Sequence, residues 1–255
     1  MSGGTGADGH VPLRVASYNI HTQRDDTVAL AQVVREIAPD VLIVQEGPRR
    51  FRWREKSAAL ARSFGMVVAA GGLPGLGNLL LTTLRVRVHH TAYARYPLTP
   101  GRHLRGTFLS DCEVPGARFS VAGAHLATDP VERPAQARLL KEHLAAARHP
   151  LIFGGDLNDT PGSDAWRTVA AGLADPGDDE CPTFSCRAPS RRIDAIFVDR
   201  RITVVRHEVP DTPRVRRASD HFPLVADLLL PADTGWTNGS EVEKISRQAG
   251  IPAAK

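Results

Sequence analysis

The chain has 255 residues, of which 42% are hydrophobic, enough for the core of one large domain or two small ones. Basic residues outnumber acidic ones by 32 to 28, and the formal charge of +4 mildly favours polyanionic partners. The cysteines are odd in number and form no CxxC pair, which argues against a disulfide scaffold and a structural zinc site; they are Cys112, Cys181 and Cys186.

The beginning of the chain predicts a β-α-β unit. Residues 1–10 are glycine-rich and lack the apolar run of a signal peptide, so we expect a flexible N-terminus and a cytoplasmic protein. Residues 13–20 have the alternation of a strand, and residues 27–38 have apolar side chains at helical spacing. Pro39 ends this helix, and residues 41–45 form a short apolar strand of the kind that is buried on both faces.

A helix followed by a series of strands is predicted for the middle of the chain. Residues 53–64 have helical spacing, and strands are expected at residues 66–70, 79–83 and 85–93. Residues 107–114 and 118–123 pair across a Pro115–Gly116 turn. The stretch 64–84 is uncharged, but several glycines and Pro74 would break a helix there, so we expect no membrane span.

The second half predicts one long amphipathic helix and four strands. The helix covers residues 131–147, and the strand at 151–154 delivers Asp156 and Asn158 into the loop beyond it. Strands at 193–198, 202–209 and 222–230 complete the set. No linker divides the chain, so we expect one mixed domain over residues 11–230 and a largely disordered tail over residues 231–255.

Polar side chains suited to a metal or a phosphate follow six apolar segments. They are Asn19, Glu46, His125, Asp156 with Asn158, Asp194, and Asp220 with His221. Each of them alone has an ordinary structural explanation, such as a turn, a helix cap or a satisfied core histidine. Their joint occurrence at the ends of strands indicates a shared site.

These segments resemble, in the same order, the motifs of the endonuclease/exonuclease/phosphatase superfamily. The segments are VASYNIH, VLIVQEG, VAGAHLAT, LIFGGDLND, RRIDAIFV and ASDHFPLVADL, and they extend over residues 14–228. The resemblance implies an α/β (α+β) fold, a four-layer αββα sandwich with two packed mixed β-sheets flanked by helices. It also implies hydrolysis of phosphate esters with a divalent metal, Mg2+ with Mn2+ as a possible substitute.

The metal ligands follow from the preference of Mg2+ for a few hard oxygen ligands and several waters. Glu46 suits this role, and the resemblance makes it the main ligand. The resemblance also assigns Asn19 to a metal-bound water or a phosphate oxygen, and Asp220 to the metal side. His21 stands where several superfamily nucleases carry an Asp. In addition, no acidic residue lies within 56–110, so the assisting Glu of deoxyribonuclease I-like members has no obvious counterpart in this chain.

The reaction also needs a base for the attacking water and donors for the phosphate oxygens. His221 is the candidate base because imidazole titrates near neutral pH, and Asp194 would orient its ring. Asp156 either positions the water or is itself the base. Asn158 can donate to the phosphate or the water, and His125 would donate to a non-bridging oxygen.

Substrate contacts are expected from arginines near these motifs. Arg214, Arg216 and Arg217 immediately precede the Asp220–His221 pair and would grip a polyanion at the rim of the site. The alternative is a solvated loop whose arginines balance nearby carboxylates. Arg105 is a further candidate for phosphate contact, or else a residue at the edge of a strand.

The resulting hypothesis is a phosphoesterase that cleaves phosphodiesters, most simply in nucleic acid, by in-line attack of water. One alternative substrate is a small phosphorylated metabolite or a lipid headgroup. Another alternative is a catalytically silent module that binds nucleic acid or a protein, against which the full set of site residues argues. No protein partner is indicated.

Overall fold

The computed structural model describes residues 9–233. The first sheet contains β1 (His10–Asn19), β2 (Val41–Gln45), β3 (Val67–Gly71), β4 (Leu79–Thr82), β11 (Thr203–Glu208) and β12 (Leu224–Pro231). The second contains β5 (Arg87–Arg95), β6 (Gly106–Val114), β7 (Ala117–His125), β8 (Leu151–Asp156), β9 (Leu173–Ala174) and β10 (Asp194–Asp199). The remaining elements are α1 (Thr27–Ile37), α2 (Trp53–Phe64), α3 (Arg133–Leu144), α4 (Asp164–Ala170), the short α5 (Val215–Ala218) and a 3-10 turn (His21–Gln23).

Both sheets have six strands and are mixed. Their orders are β11-β12-β1-β2-β4-β3 and β5-β6-β7-β8-β10-β9. Each sheet contains one parallel pair, β1 with β2 and β7 with β8, and in each case a helix crosses between the two strands. Because parallel strands end at the same edge of a sheet, these two crossovers bring the motif residues that follow the strands to one edge of each sheet.

Three apolar clusters separate four layers. The inner faces of the two sheets form the central cluster, which includes Val15, Ile43, Phe119 and Ile196. A second cluster packs α1 and α2 on the outer face of the first sheet, and a third packs α3 and α4 on the outer face of the second. The predicted αββα sandwich is therefore confirmed. Within the described residues, no helix combines the length and the apolarity that a membrane crossing requires.

Glycine allows the two sheets to approach closely beneath the site. A Cβ on Gly154 of β8 would lie 2.7 Å from Ile43 Cδ1 in the other sheet, and one on Gly123 of β7 would lie 2.8 Å from Ile43 Cγ2. Such distances are shorter than real carbon contacts, so side chains at these positions would push the sheets apart. The glycines of the GGD segment therefore serve the packing that holds Asp156 in place.

Several element bounds differ from those predicted. The strand expected at 151–154 continues to Asp156, which pairs with its neighbours on both sides, so this carboxylate is on a strand and not in a loop. Tertiary pairing of this kind leaves no local pattern. The helix expected at 131–147 covers only Arg133–Leu144, and α4, capped by Ser163, was not predicted. His10 pairs with Pro231, one residue beyond each predicted domain end. Most of the predicted flexible segments, residues 1–8 and 234–255, lie outside the described residues.

Candidate active site

Adjacent strand ends place three of the predicted site residues side by side. In the second sheet, His125 of β7 pairs with Asp156 of β8, and Asp156 pairs with Asp194 of β10. Residues opposite one another in adjacent strands project to the same face. The first sheet contributes Asn19 at the end of β1 and Glu46 directly after β2. The structure thus collects side chains from both sheets at a single edge of the sandwich.

A buried histidine lies between two buried carboxylates. The Nδ1 atom of His221 is 2.9 Å from Asp194 Oδ2, and its Nε2 atom is 3.7 Å from Asp156 Oδ2. All three side chains are at most 7% exposed. One ring nitrogen of the imidazole is therefore held by Asp194, and the other faces Asp156.

Asp156 is the centre of a hydrogen-bond network. Its Oδ2 accepts a hydrogen bond of 2.9 Å from Asn19 Nδ2, and its Oδ1 accepts one of 2.9 Å from the Asn158 backbone N–H. His125 Nε2 lies 3.2 Å from the same Oδ2 and 3.0 Å from Asn158 Nδ2. The amide of Asn158 also donates to the carbonyl of Leu126 at 3.0 Å. Both asparagines and His125 therefore meet at one carboxylate.

The burial of these charges shifts their titration. Burial lowers the pKa of His221, but the charges of Asp194 and Asp156 outweigh it and raise that pKa to about 10. Burial and the charge of Asp194 raise the pKa of Asp156 to about 6, against the opposite effect of His221. Burial, with the positive charge of Arg105, lowers the pKa of His125 well below its usual value. At neutral pH the site therefore holds an imidazolium between two carboxylates and a neutral His125.

The oxygen groups at the mouth of the site suit a hard divalent cation. Glu46 is half-buried, has a left-handed backbone with φ 59°, and accepts a 2.7 Å hydrogen bond from Thr22 Oγ1. Asp220 Oδ1 is buried and has no hydrogen-bond partner within residues 9–233. A buried carboxylate oxygen without a partner is costly unless a cation neutralises it. These carboxylates and the Asn19 amide line the same cleft, and oxygen groups of this kind are the ligands that Mg2+ prefers.

His21 changes the surroundings of Asp220. Its Nδ1 atom lies 2.7 Å from Asp25 Oδ2 and 3.7 Å from Asp220 Oδ1. The ligand atoms of these three residues lie within 4.8 Å of one another, and the same is true of Asp156, Asp194 and His221. In the second group, hydrogen bonds and close charges within the protein already engage all three side chains. In the first group, by contrast, Asp220 Oδ1 accepts no hydrogen bond within residues 9–233.

The site opens into a cleft of about 710 Å3, a volume that suits a small ligand or one nucleotide unit. The cleft is lined by most of the predicted site residues, namely Asn19, Glu46, His125, Asp156, Asn158, Asp220 and His221. Its wall also carries cationic side chains, namely Arg24, Arg49, Arg50, Lys56 and Arg105. Within the described part of the chain, none of these cations forms a salt bridge with a carboxylate, although the charges of Asp156 and Glu46 act on Arg105. The positive charges on the wall of the cleft therefore favour the binding of an anion.

Arg105 and Arg49 are the most firmly placed of these cations. Arg105 Nε is buried and has no hydrogen-bond partner among the described residues, and burial lowers the pKa of this guanidinium. Arg49 Nη1 donates to the carbonyls of Leu76 and Leu104, at 3.0 and 3.1 Å. These bonds fix the guanidinium without neutralising its charge. Of the predicted substrate contacts, Arg105 thus lines the cleft.

The other three predicted arginines do not line the cleft. Arg214 pairs with Glu36, and Arg216 pairs with Asp211 at 2.6 Å. Arg217 Nε lies 3.6 Å from a carboxylate oxygen of Asp26, the residue that caps α1. The expectation that these arginines grip a polyanion at the rim is therefore corrected. They balance nearby carboxylates, which is the alternative that the sequence left open.

Three residues that the sequence did not single out contact the Asp194–His221 pair. Ser219 Oγ donates to the Asn19 carbonyl at 2.7 Å and accepts from the His221 N–H at 3.3 Å. Thr183 Oγ1 accepts from the Asp194 N–H at 3.1 Å, and the Phe184 ring centroid lies 4.8 Å from that of His221. Ser219 is part of the ASDH segment and could have been found there. Thr183 and Phe184 lie in an irregular segment that no periodicity marks.

Comparisons with known proteins find a matching family and similar folds. The family model described as "Endonuclease/Exonuclease/phosphatase family" matches residues 16–221. No curated protein matches the sequence. A protein of this family from Beutenbergia cavernae is similar in structure, with a TM-score of 0.68 and 25% identity, over 86% of this chain and 72% of that one.

Two further structures show the same fold with named activities. A mannosyl-6-phosphatase from Bacteroides thetaiotaomicron has a TM-score of 0.71 at 18% identity, over 85% of this chain and 99% of that one. ANGEL2, a 2',3'-cyclic phosphatase, has a TM-score of 0.69 at 15% identity, over 88% and 97% of the two chains. At such identities the likeness extends to the fold alone.

Proposed function

The chain belongs to the endonuclease/exonuclease/phosphatase family, whose members are phosphoester hydrolases, and from this premise we propose that it hydrolyses phosphodiester bonds in nucleic acid. The observation that carries the proposal is the buried triad of Asp194, His221 and Asp156, of which His221 and Asp156 line a cleft that also carries cations without salt bridges. The triad supplies acid–base groups, and the cations attract the negative charge of the substrate.

We assign the proton of the attacking water to Asp156. This carboxylate has its pKa raised to about 6, and two amide groups and two imidazoles surround it. Such a group is ionised at neutral pH and basic enough to accept a proton. This assignment takes the second of the two roles left open for Asp156 and moves the base from His221. The water then attacks in line with the leaving oxygen, without a covalent intermediate.

His221 then acts as a cation and not as a base. Asp194 holds its Nδ1–H, and the pKa of about 10 keeps the ring protonated at neutral pH. An imidazolium Nε2–H that faces the site stabilises the charge that develops on the phosphate oxygens. Arg105 contributes a second positive charge in the cleft, and Asn158 contributes a neutral donor.

We assign a divalent cation, Mg2+ with Mn2+ as a substitute, to Glu46, Asp220 and the amide oxygen of Asn19. The buried Oδ1 of Asp220, which accepts no hydrogen bond within residues 9–233, supports this assignment. When bound, the ion would neutralise phosphate charge and act as a Lewis acid. The hydrogen bond from Asn19 Nδ2 to Asp156 joins the ligand set to the proposed base, so both parts of the site keep a fixed relative position.

A small phosphorylated metabolite is the second candidate substrate. The cleft volume of about 710 Å3 would enclose such a molecule, and one structural neighbour is a mannosyl-6-phosphatase. We favour nucleic acid because the cations lining the cleft outnumber those that a single phosphate group would need. The absence of acidic partners for these cations, within residues 9–233, supports the same choice.

The proposal is tested by hydrolysis of plasmid DNA, single-stranded DNA, RNA, bis-p-nitrophenyl phosphate, inositol phosphates, mannose 6-phosphate and sphingomyelin, with Mg2+, Mn2+ or EDTA. We expect metal-dependent cleavage of a nucleic acid, reduced about 10^2- to 10^4-fold by Asp156→Ala or His221→Ala. Asp164→Ala and His90→Ala are matched controls, because both residues are exposed and neither lines the cleft. Turnover of small monoesters alone would refute the nucleic-acid assignment. An absence of turnover, with all variants folded, would favour a binding protein.

A further inference from the structure

A second groove continues from the catalytic cleft. It lies between α1 and α2 and has a volume of about 630 Å3. The groove is lined by Gln23, Thr27, Val28, Ala31, Arg35, Lys56, Ala59, Leu60 and Ser63. Gln23 and Lys56 also line the catalytic cleft, so the two cavities share part of their walls. A ligand longer than one unit could therefore leave the cleft along this groove.

The side chains of the groove suit a polyanion. Its lining includes no acidic residue. Arg35 and Lys56 are exposed, and neither has a carboxylate partner in residues 9–233. Arg35 Nε donates to the carbonyl of Ala31 within its own helix, and this bond leaves its charge intact. The groove thus adds Arg35 to the unpaired cations of the cleft, with Lys56 at the junction.

The rest of the groove is apolar or carries neutral donors. Val28 is 65% exposed, and Ala31, Ala59 and Leu60 complete an apolar floor. Gln23, Thr27 and Ser63 supply an amide and two hydroxyls. A nucleic-acid strand combines apolar base and sugar surfaces with regularly spaced phosphates, so it matches both parts of this lining. Among the described residues, the exposed side chain of Val28 belongs to none of the three apolar clusters.

We propose that the groove between α1 and α2 is an extended binding track, which holds the nucleic-acid strand flanking the scissile phosphate. The inference rests on the proposed function and adds to it the path of the substrate. In this path, one flanking phosphate contacts Lys56 at the junction, and a more distant one contacts Arg35. Cleavage would then depend on the length of the strand as well as on the bond that is broken.

The test measures the binding of labelled single-stranded oligonucleotides of increasing length by fluorescence anisotropy, with EDTA present to prevent cleavage. The variant Arg35→Ala/Lys56→Ala removes the two proposed phosphate contacts. The matched control, Arg62→Ala/Arg87→Ala, removes the same charge from exposed residues that line neither cavity. The slope of log K against log salt should fall by about 1.4 in the first variant, about 0.7 for each lost contact, and by much less in the control.

Cleavage provides a second readout. In the unaltered protein, kcat/KM should rise with strand length, and the groove variant should lose at least about tenfold more activity on long strands than on dinucleotides. Equal salt slopes and equal length dependence in the groove variant and the control would overturn the extended track while leaving the nuclease proposal intact. Failure of the unaltered protein to bind or cleave any oligonucleotide would overturn both.

Discussion

Raising the pH should destabilise this protein through the single imidazole of His221. The ring is 5% exposed, and the charges of Asp194 and Asp156 raise its pKa to about 10 in the folded chain. In the unfolded chain the pKa returns to about 6.5. A raised pKa contributes stability that is complete below the unfolded value and is lost as the pH rises through the folded value.

The expected size follows from the difference between the two pKa values. Between about pH 8 and about pH 10 the folded chain retains a proton that the unfolded chain has lost, and each pH unit is worth about 1.4 kcal/mol. Because the ring itself begins to lose its proton near the upper limit, the expected loss from His221 is about 2 kcal/mol over this interval.

Urea denaturation in EDTA, at several pH values, measures this loss. The reference protein is the variant His221→Gln. Burial also raises the pKa values of Cys112 and Cys186, but these cysteines titrate equally in both proteins, so the comparison removes their contribution to the pH dependence of stability. The difference in unfolding free energy between the two proteins should narrow by about 2 kcal/mol over the interval. In Asp194→Asn, which lacks the main charge that raises the pKa of His221, the fall should begin at lower pH. Parallel stability curves for all three proteins would refute the charged state assigned to His221.

Three further outcomes are expected. Asp194→Asn removes a charge-assisted bond of about 1.5–3 kcal/mol to His221, so the melting temperature should fall, and single-turnover kinetics well below it should show a loss of about 10- to 150-fold; an unaltered rate in the folded variant would contradict the orienting role. Gly154→Ala places a Cβ 2.7 Å from Ile43 Cδ1 and should lower the unfolding free energy in urea by about 1–3 kcal/mol, whereas an unshifted midpoint would show that the sheets separate freely. Ser163→Ala removes the cap of α4 and should reduce stability by about 1 kcal/mol in the same assay, with Ser163→Asp as the variant that retains it.

The fold was largely predictable because its signals are local. Alternation and helical spacing located most of the strands and three of the helices, among them α2 with the bounds that the structure has. The four-layer arrangement came from the resemblance, since periodicity shows which face of an element is buried and not what covers it. Short elements such as α4 and β9 escaped prediction because a turn or two of helix, or a two-residue strand, leaves too little pattern.

The candidate site was likewise predictable from the sequence only in part. The sequence alone singled out Asn19, Glu46, Asp156 and His221, because each lies next to an apolar segment in a recognisable motif. It could not show that His221 lies between two carboxylates and keeps its proton, since that depends on burial and on strands distant in the chain.

Only the tertiary structure decided which arginines are free to bind substrate. Arg214 lies next to the motif in sequence but pairs with Glu36, which is 178 positions away, whereas Arg49 was not singled out and lines the cleft unpaired. An arginine has the same chemistry in either setting, and its availability depends on whether folding brings a carboxylate to it. Sequence thus determined the chemical groups at the ends of the strands, and long-range packing determined their charges and partners.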